Sequence, residues 1–167
     1  MKHGLFAAAV CIAMATPGAS TPVAGQIVVE KNVLTLAAAR KIVTAAEAEA
    51  RGRGVGVVVV VVDDGGHVIA LARMDNAQVA SVNVGIGKAR TAAIYRRPTR
   101  VFEEQIKSGR IAALALADAT PLQGGLPILI DGKVVGAVGV SGDTPQVDEE
   151  IAMAGVSALS GQLTAVR

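Results

Sequence analysis

The sequence predicts an α/β sandwich in which a central antiparallel sheet, built from two hairpins, is flanked by helices. Two apolar runs rich in β-branched residues each fold back at a short Asp/Gly turn, at 63–66 and 131–132. Segments with apolar residues at helical spacing precede, separate and follow these hairpins. Turns this short cannot carry a parallel crossover, which needs about a dozen residues, so the strands pair antiparallel.

Each element follows from local chemistry. Thr35 caps a helix whose apolar positions Leu36, Ala39, Ile42 or Val43, Ala46 and Ala50 share one face, and Gly52 and Gly54 end it. Residues 55–62 are almost unbroken valine, which reads as a strand buried on both faces. After the turn, 67–74 returns with Val68, Ala70 and Ala72 expected on one face and Ile69, Leu71 and Arg73 on the other. Residues 81–96 read as a helix with Val82, Ile86, Ala89 and Ala93 packed, and Pro98 stops it. Gly85 and Gly87 each cost that helix about 1 kcal/mol relative to alanine, so a close backbone contact or a ligand should compensate. Thr99 is positioned to cap a short helix through Lys107, whereas 108–123 carries no clear pattern. The second hairpin runs from 127 to 140, and the final helix is expected to face inward with Val147, Ile151, Ala154 and Ala158.

The chain begins with a short basic start, Met1-Lys2-His3, and an uncharged apolar run from Leu5 to Ala15, broken by Pro17 and Gly18 and followed by small residues. That is the pattern of a signal peptide, too short to span a bilayer. Residues 1–25 are therefore expected to be removed and 26–167 to form a single periplasmic or secreted domain. The one cysteine, Cys11, leaves with the signal, so disulfides, thiolate metal sites and cysteine nucleophiles are excluded from the mature chain. Removing Lys2 leaves 15 basic against 14 acidic residues, a net charge of +1, which implies no polyanionic partner. With Tyr95 and Phe102 as its aromatics, the mature chain lacks a stacking platform for bases. No nucleic-acid partner is expected, and no membrane association after signal cleavage.

Three strings, DDGGHVIALARMD (63–75), GIGKARTAA (85–93) and GGLPILIDGKVVGAVGVSGDTPQVDEEIA (124–152), resemble the GlcG/HbpS-like family of haem-degrading or haem-binding domains, also found at the C-terminus of PduO proteins. The resemblance spans about 33–160, with the strings in the family's order and spacing. It implies a profilin-like α-β-α fold, homo-oligomers and, in some members, haem binding.

Several constellations could carry chemistry. Asp63, Asp64 and His67 bracket a glycine turn, where a carboxylate could orient the mature chain's single histidine as a metal ligand or base. A plain hairpin turn uses the same aspartates and glycines for backbone geometry. Arg73 and Met74 end the second strand, while Lys88 and Arg90 lie on the following helix. The cations could hold haem propionates, or form structural pairs such as Lys88 with an aspartate. Met74 offers a soft axial ligand, or simply packs in the core. His67, Arg73, Met74 and Lys88 thus form the candidate haem site, with His67 as the metal ligand and Tyr95 or a threonine as the oxygen-donor alternative. Gly124-Gly125 and Ser141-Gly142 offer either an anion cradle or tight packing. Neither sits in a P-loop or dinucleotide string, and Ser141 is in no nucleophile elbow.

The expected function is an exported haem- or tetrapyrrole-binding protein serving as carrier, buffer or sensor accessory. The alternatives are a small-metabolite enzyme using Asp63, His67 and Lys88, or a structural homo-oligomer without catalysis.

Overall fold

The computed structural model describes residues 29–160; the expected signal segment lies outside them. Helix α1 (Leu36–Gly52) is followed by strands β1 (Val58–Asp63) and β2 (Val68–Arg73), then helices α2 (Ser81–Ile94) and α3 (Arg100–Lys107). A short 3-10 helix (Ile111–Ala115) leads to β3 (Gly125–Ile130), β4 (Lys133–Ser141) and helix α4 (Pro145–Ser157). The strands form one antiparallel sheet in the order β2-β1-β4-β3, the two hairpins being joined through β1 and β4.

The valine run explains the layering. Alternate side chains of a strand point to opposite faces, so an unbroken apolar strand needs cover on both sides. Val57, Val59 and Val61 pack in a cluster with Ile42, Ala46 and Ile151 of α1 and α4. Val58, Val60 and Val62 pack under Ala89, Ala92 and Ala93 of α2. All six valines are fully buried, each contributing roughly 1.5–2 kcal/mol of transfer free energy.

Helix α2 reaches the sheet closely because both partners lack side chains at the crossing. A Cβ on Gly139 of β4 would meet Gly85 O at 2.3 Å and Ala89 N at 2.5 Å. A Cβ on Gly87 would lie 2.1 Å from Thr120 Oγ1. The contact expected to offset the two helical glycines therefore lies within the chain. Residues 108–123, patternless in sequence, are pinned partly by this contact, since Thr91 Oγ1 accepts from Thr120 N at 2.7 Å and donates to Gly87 O at 2.7 Å.

Four local expectations change. The pairing of β1 with β2 shifts between Val61 and Val62, so Val68 opposes Val62 and Ala70 opposes Val61. This bulge interrupts strict alternation and moves Val68 to the face of Leu71 and Arg73. Helix α2 ends at Ile94 rather than 96, because Arg96 takes a left-handed φ of 55°. Thr99 makes no side-chain cap; its hydroxyl accepts from Gly125 N at 2.9 Å and ties α3 to β3. Finally, α4 buries Asp148, Ile151, Ala152 and Gly155, leaving Ala158 exposed. A polar residue on the buried stripe defeats a purely apolar periodicity.

Candidate functional site

At the end of β1, the carboxylate of Asp63 accepts hydrogen bonds from the backbone N–H groups of Gly65 and His67, both at 2.9 Å. Partial burial alone would raise the pKa of this carboxyl, but these two N–H donors and the neighbouring His67 outweigh it and hold the group below the ordinary aspartate value. The same oxygen lies 3.4 Å from His67 Nδ1. With Nδ1 on the carboxylate side, Nε2 is the nitrogen left for an incoming ligand. The imidazole is 78% exposed, so the turn both holds and presents it. Asp64 is instead engaged by Lys31 at 2.7 Å.

Gly66, at φ 84°, packs against α2, where a Cβ would meet Arg90 Cγ at 2.8 Å and Ile94 Cγ2 at 3.4 Å. The last turns of α2 thus flank the hairpin end that carries His67. Helix α2 packs on β1, β4 and β3, while α1 covers the other face of β2. The α2-side face of β2, bearing Val68, Leu71 and Arg73, is consequently open to solvent. Val68 is 48% and Leu71 41% exposed, and Ile94, which packs near Gly66, is exposed as well. An apolar step with an imidazole and a guanidinium at one end suits a flat amphipathic ligand.

The other candidate residues are not gathered there. Arg73 sits six positions from His67 along β2, about 20 Å in an extended strand, and its guanidinium donates to Ala77 O at 3.4 Å. Met74 packs against the cluster under α1. Lys88 is not at the rim at all, being buried with its Nζ donating to Asp148 Oδ2 at 2.7 Å and Val140 O at 2.9 Å. A propionate could reach it only by breaking that pair. Val140 lies four positions along β4 from Gly136, the residue opposite Asp63, roughly 13 Å away. The Asp63/His67/Lys88 cluster on which an enzymatic reading depends is therefore not formed. Tyr95 donates its hydroxyl to Ala117 O at 2.7 Å.

The space at Gly124-Gly125 and at Gly142 is filled by protein. A Cβ on Gly124 would lie 2.9 Å from Lys88 Nζ, one on Gly125 2.4 Å from Lys88 O, and one on Gly142 2.6 Å from Gly56 O. Tight packing, rather than an anion cradle, is what these glycines serve. Among the described residues, no three His, Cys, Asp or Glu side chains converge as a metal-binding group. Sequence reasoning had no means of finding Val68 and Leu71 on one open face, because the bulge that puts them there breaks the alternation from which faces are read.

The model of the family described as "Haem degrading protein HbpS-like" matches residues 34–157. Protein GlcG of Escherichia coli (strain K12) is 40% identical over 111 residues, covering 66% of this chain and 83% of that protein. An uncharacterized 15.0 kDa protein from the dhaT-dhaS intergenic region of Citrobacter freundii is 39% identical over 123 residues, covering 71% of this chain and 87% of that protein. Among solved structures, Streptomyces reticuli HbpS (a double mutant) superposes with a TM-score of 0.73 at 32% identity, covering 85% of this chain and 99% of that one. A PduOC:heme complex superposes with a TM-score of 0.70 at 25% identity, covering 76% and 95%. The fold, the three sequence strings and these matches agree: the chain belongs to the haem degrading protein HbpS-like family.

Proposed function

We propose that this protein is an exported haem- or tetrapyrrole-binding protein, a carrier, buffer or sensor accessory, with His67 as axial donor. The observation that carries the reading is the open face of β2 beside an imidazole supported by Asp63. A porphyrin needs an apolar surface, an axial donor and positive charge for its propionates. Val68 and Leu71 offer the first, His67 the second, and Arg90, across Gly66, the third. Haem binding is further supported by the family description and by the haem complex of the PduOC relative. Of the two cations that the sequence offers on α2 for the propionates, Arg90 fills the role and the buried Lys88 does not.

Haem titration of the mature protein tests the reading. The Soret band of the wild type should saturate near one haem per chain. His67→Ala should shift that band and weaken binding by about tenfold or more, whereas Arg90→Gln should weaken it with the band unmoved. An unchanged titration of His67→Ala would remove the imidazole as ligand. Export is tested separately by the mass of the protein recovered from periplasm, which should lack residues 1–25.

The protein is further proposed to act as a homo-oligomer. Val79, Ile111 and Leu114 are 76%, 69% and 64% exposed, an arrangement that association would relieve. Sedimentation showing a monomer at micromolar concentration would count against this.

A further inference from the structure

The turn after α2 places two arginines at one end of an apolar cleft that the haem reading does not use. Arg96, Arg97 and Pro98 line a space of about 390 Å³ completed by Pro127 and Leu129 of β3 and Met153 of α4. A neighbouring hollow of about 180 Å³ shares Pro127, Leu129 and Val156 and extends the trough to Leu159. The combined volume lies in the range of small-molecule sites. Leu129 and Met153 are each about half exposed in it.

The charged end is organised. Arg96 occupies, at φ 55°, the left-handed position after a helix that glycine or asparagine ordinarily takes. The Arg97 guanidinium lies 5.7 Å from the Phe102 ring centroid, and its Nε donates to Tyr95 O at 3.2 Å. Among the described residues, neither arginine has a carboxylate within ion-pairing distance. Two cations without acidic partners among the described residues thus line one end of a trough whose remaining walls are apolar apart from Ser157 and Ser160.

We propose that this cleft binds a single-chain amphipathic carboxylate, its head on Arg96 and Arg97 and its chain along Leu129 and Met153. Charge complementarity selects the head, and the wall selects the tail. β3 is an edge strand, but a partner strand is disfavoured there because Pro127 offers it no N–H.

Calorimetric titration with octanoate, decanoate, dodecanoate and dodecanol, all below micelle-forming concentration, tests the proposal. Binding should saturate at one per chain and strengthen with chain length by up to about fourfold per buried methylene. Dodecanol should bind at least about tenfold more weakly than dodecanoate, as should dodecanoate to the Arg96→Gln/Arg97→Gln protein. The corresponding double lysine variant should retain most of the affinity. Met153→Asp, at a half-exposed position, should abolish binding while the variant stays folded, with only the small loss of melting temperature expected of aspartate in a helix. Haem titration should be unchanged in all these variants, which separates this site from the one at His67. Equal binding of alcohol and acid, no dependence on chain length, or full affinity in the double glutamine variant would overturn the proposal. So would dissociation of the protein's own assembly by dodecanoate, because the trough's occupant would then be a second copy.

Discussion

The ammonium of Lys88 and the carboxylate of Asp148 meet at 2.7 Å, with neither side chain more than 4% exposed. The second Asp148 oxygen accepts from Asp143 N at 3.0 Å, and Lys88 also donates to Val140 O, so the pair joins α2, the end of β4 and the start of α4. Burial pushes the Asp148 carboxyl above the ordinary aspartate range, while the ammonium opposes that shift.

Removing one partner strands the other charge in the interior. Lys88→Met should therefore lower stability by about 3–5 kcal/mol, read as a reduced urea midpoint. The double replacement Lys88→Met/Asp148→Leu should recover much of that loss, because an apolar pair carries no desolvation cost. A double variant as unstable as the single one would contradict this account.

The Asp63 turn makes a pH-dependent contribution of opposite sign. Its carboxyl titrates lower in the folded protein than in the unfolded chain, so its stabilisation is complete above the unfolded aspartate value near 4. It is lost as pH falls through the lower folded value. The stability difference between wild type and Asp63→Asn should therefore shrink as unfolding is measured at pH 5, 4, 3 and 2. A difference that is constant over that range would exclude the mechanism.

Two glycines should respond differently to alanine. At Gly139 the added Cβ would meet backbone atoms of α2 at 2.3–2.5 Å, and Gly139→Ala should cost more than about 3 kcal/mol or prevent folding. At Gly132 nothing lies within 4 Å, so Gly132→Ala should cost only about 1 kcal/mol, the penalty of its φ of 73°. Thermal unfolding of the two variants checks the ranking.

The Thr144 side chain caps α4 by accepting from Val147 N. Thr144→Ala should cost about 1 kcal/mol and Thr144→Ser much less, by chemical denaturation. Equal losses in both would point to packing of the methyl group rather than to the cap.

What the sequence determined by itself was whatever local periodicity encodes. The valine run specified a strand buried on both faces, the Asp/Gly turns specified antiparallel hairpins, and Thr35 specified a helix start. His67 beside Asp63 was legible for the same reason, since four residues around a turn leave little freedom. Tertiary structure alone decided which distant groups meet. Lys88 found Asp148 sixty positions away, in a helix whose apolar pattern gave no hint of a buried acid. The β2 bulge turned Val68 outward, and the pairing of Gly139 with Gly85 set how far α2 slides along the sheet. Backbone contact distances and the solvation cost of a buried charge depend on neighbours from other elements, so no single segment carries them.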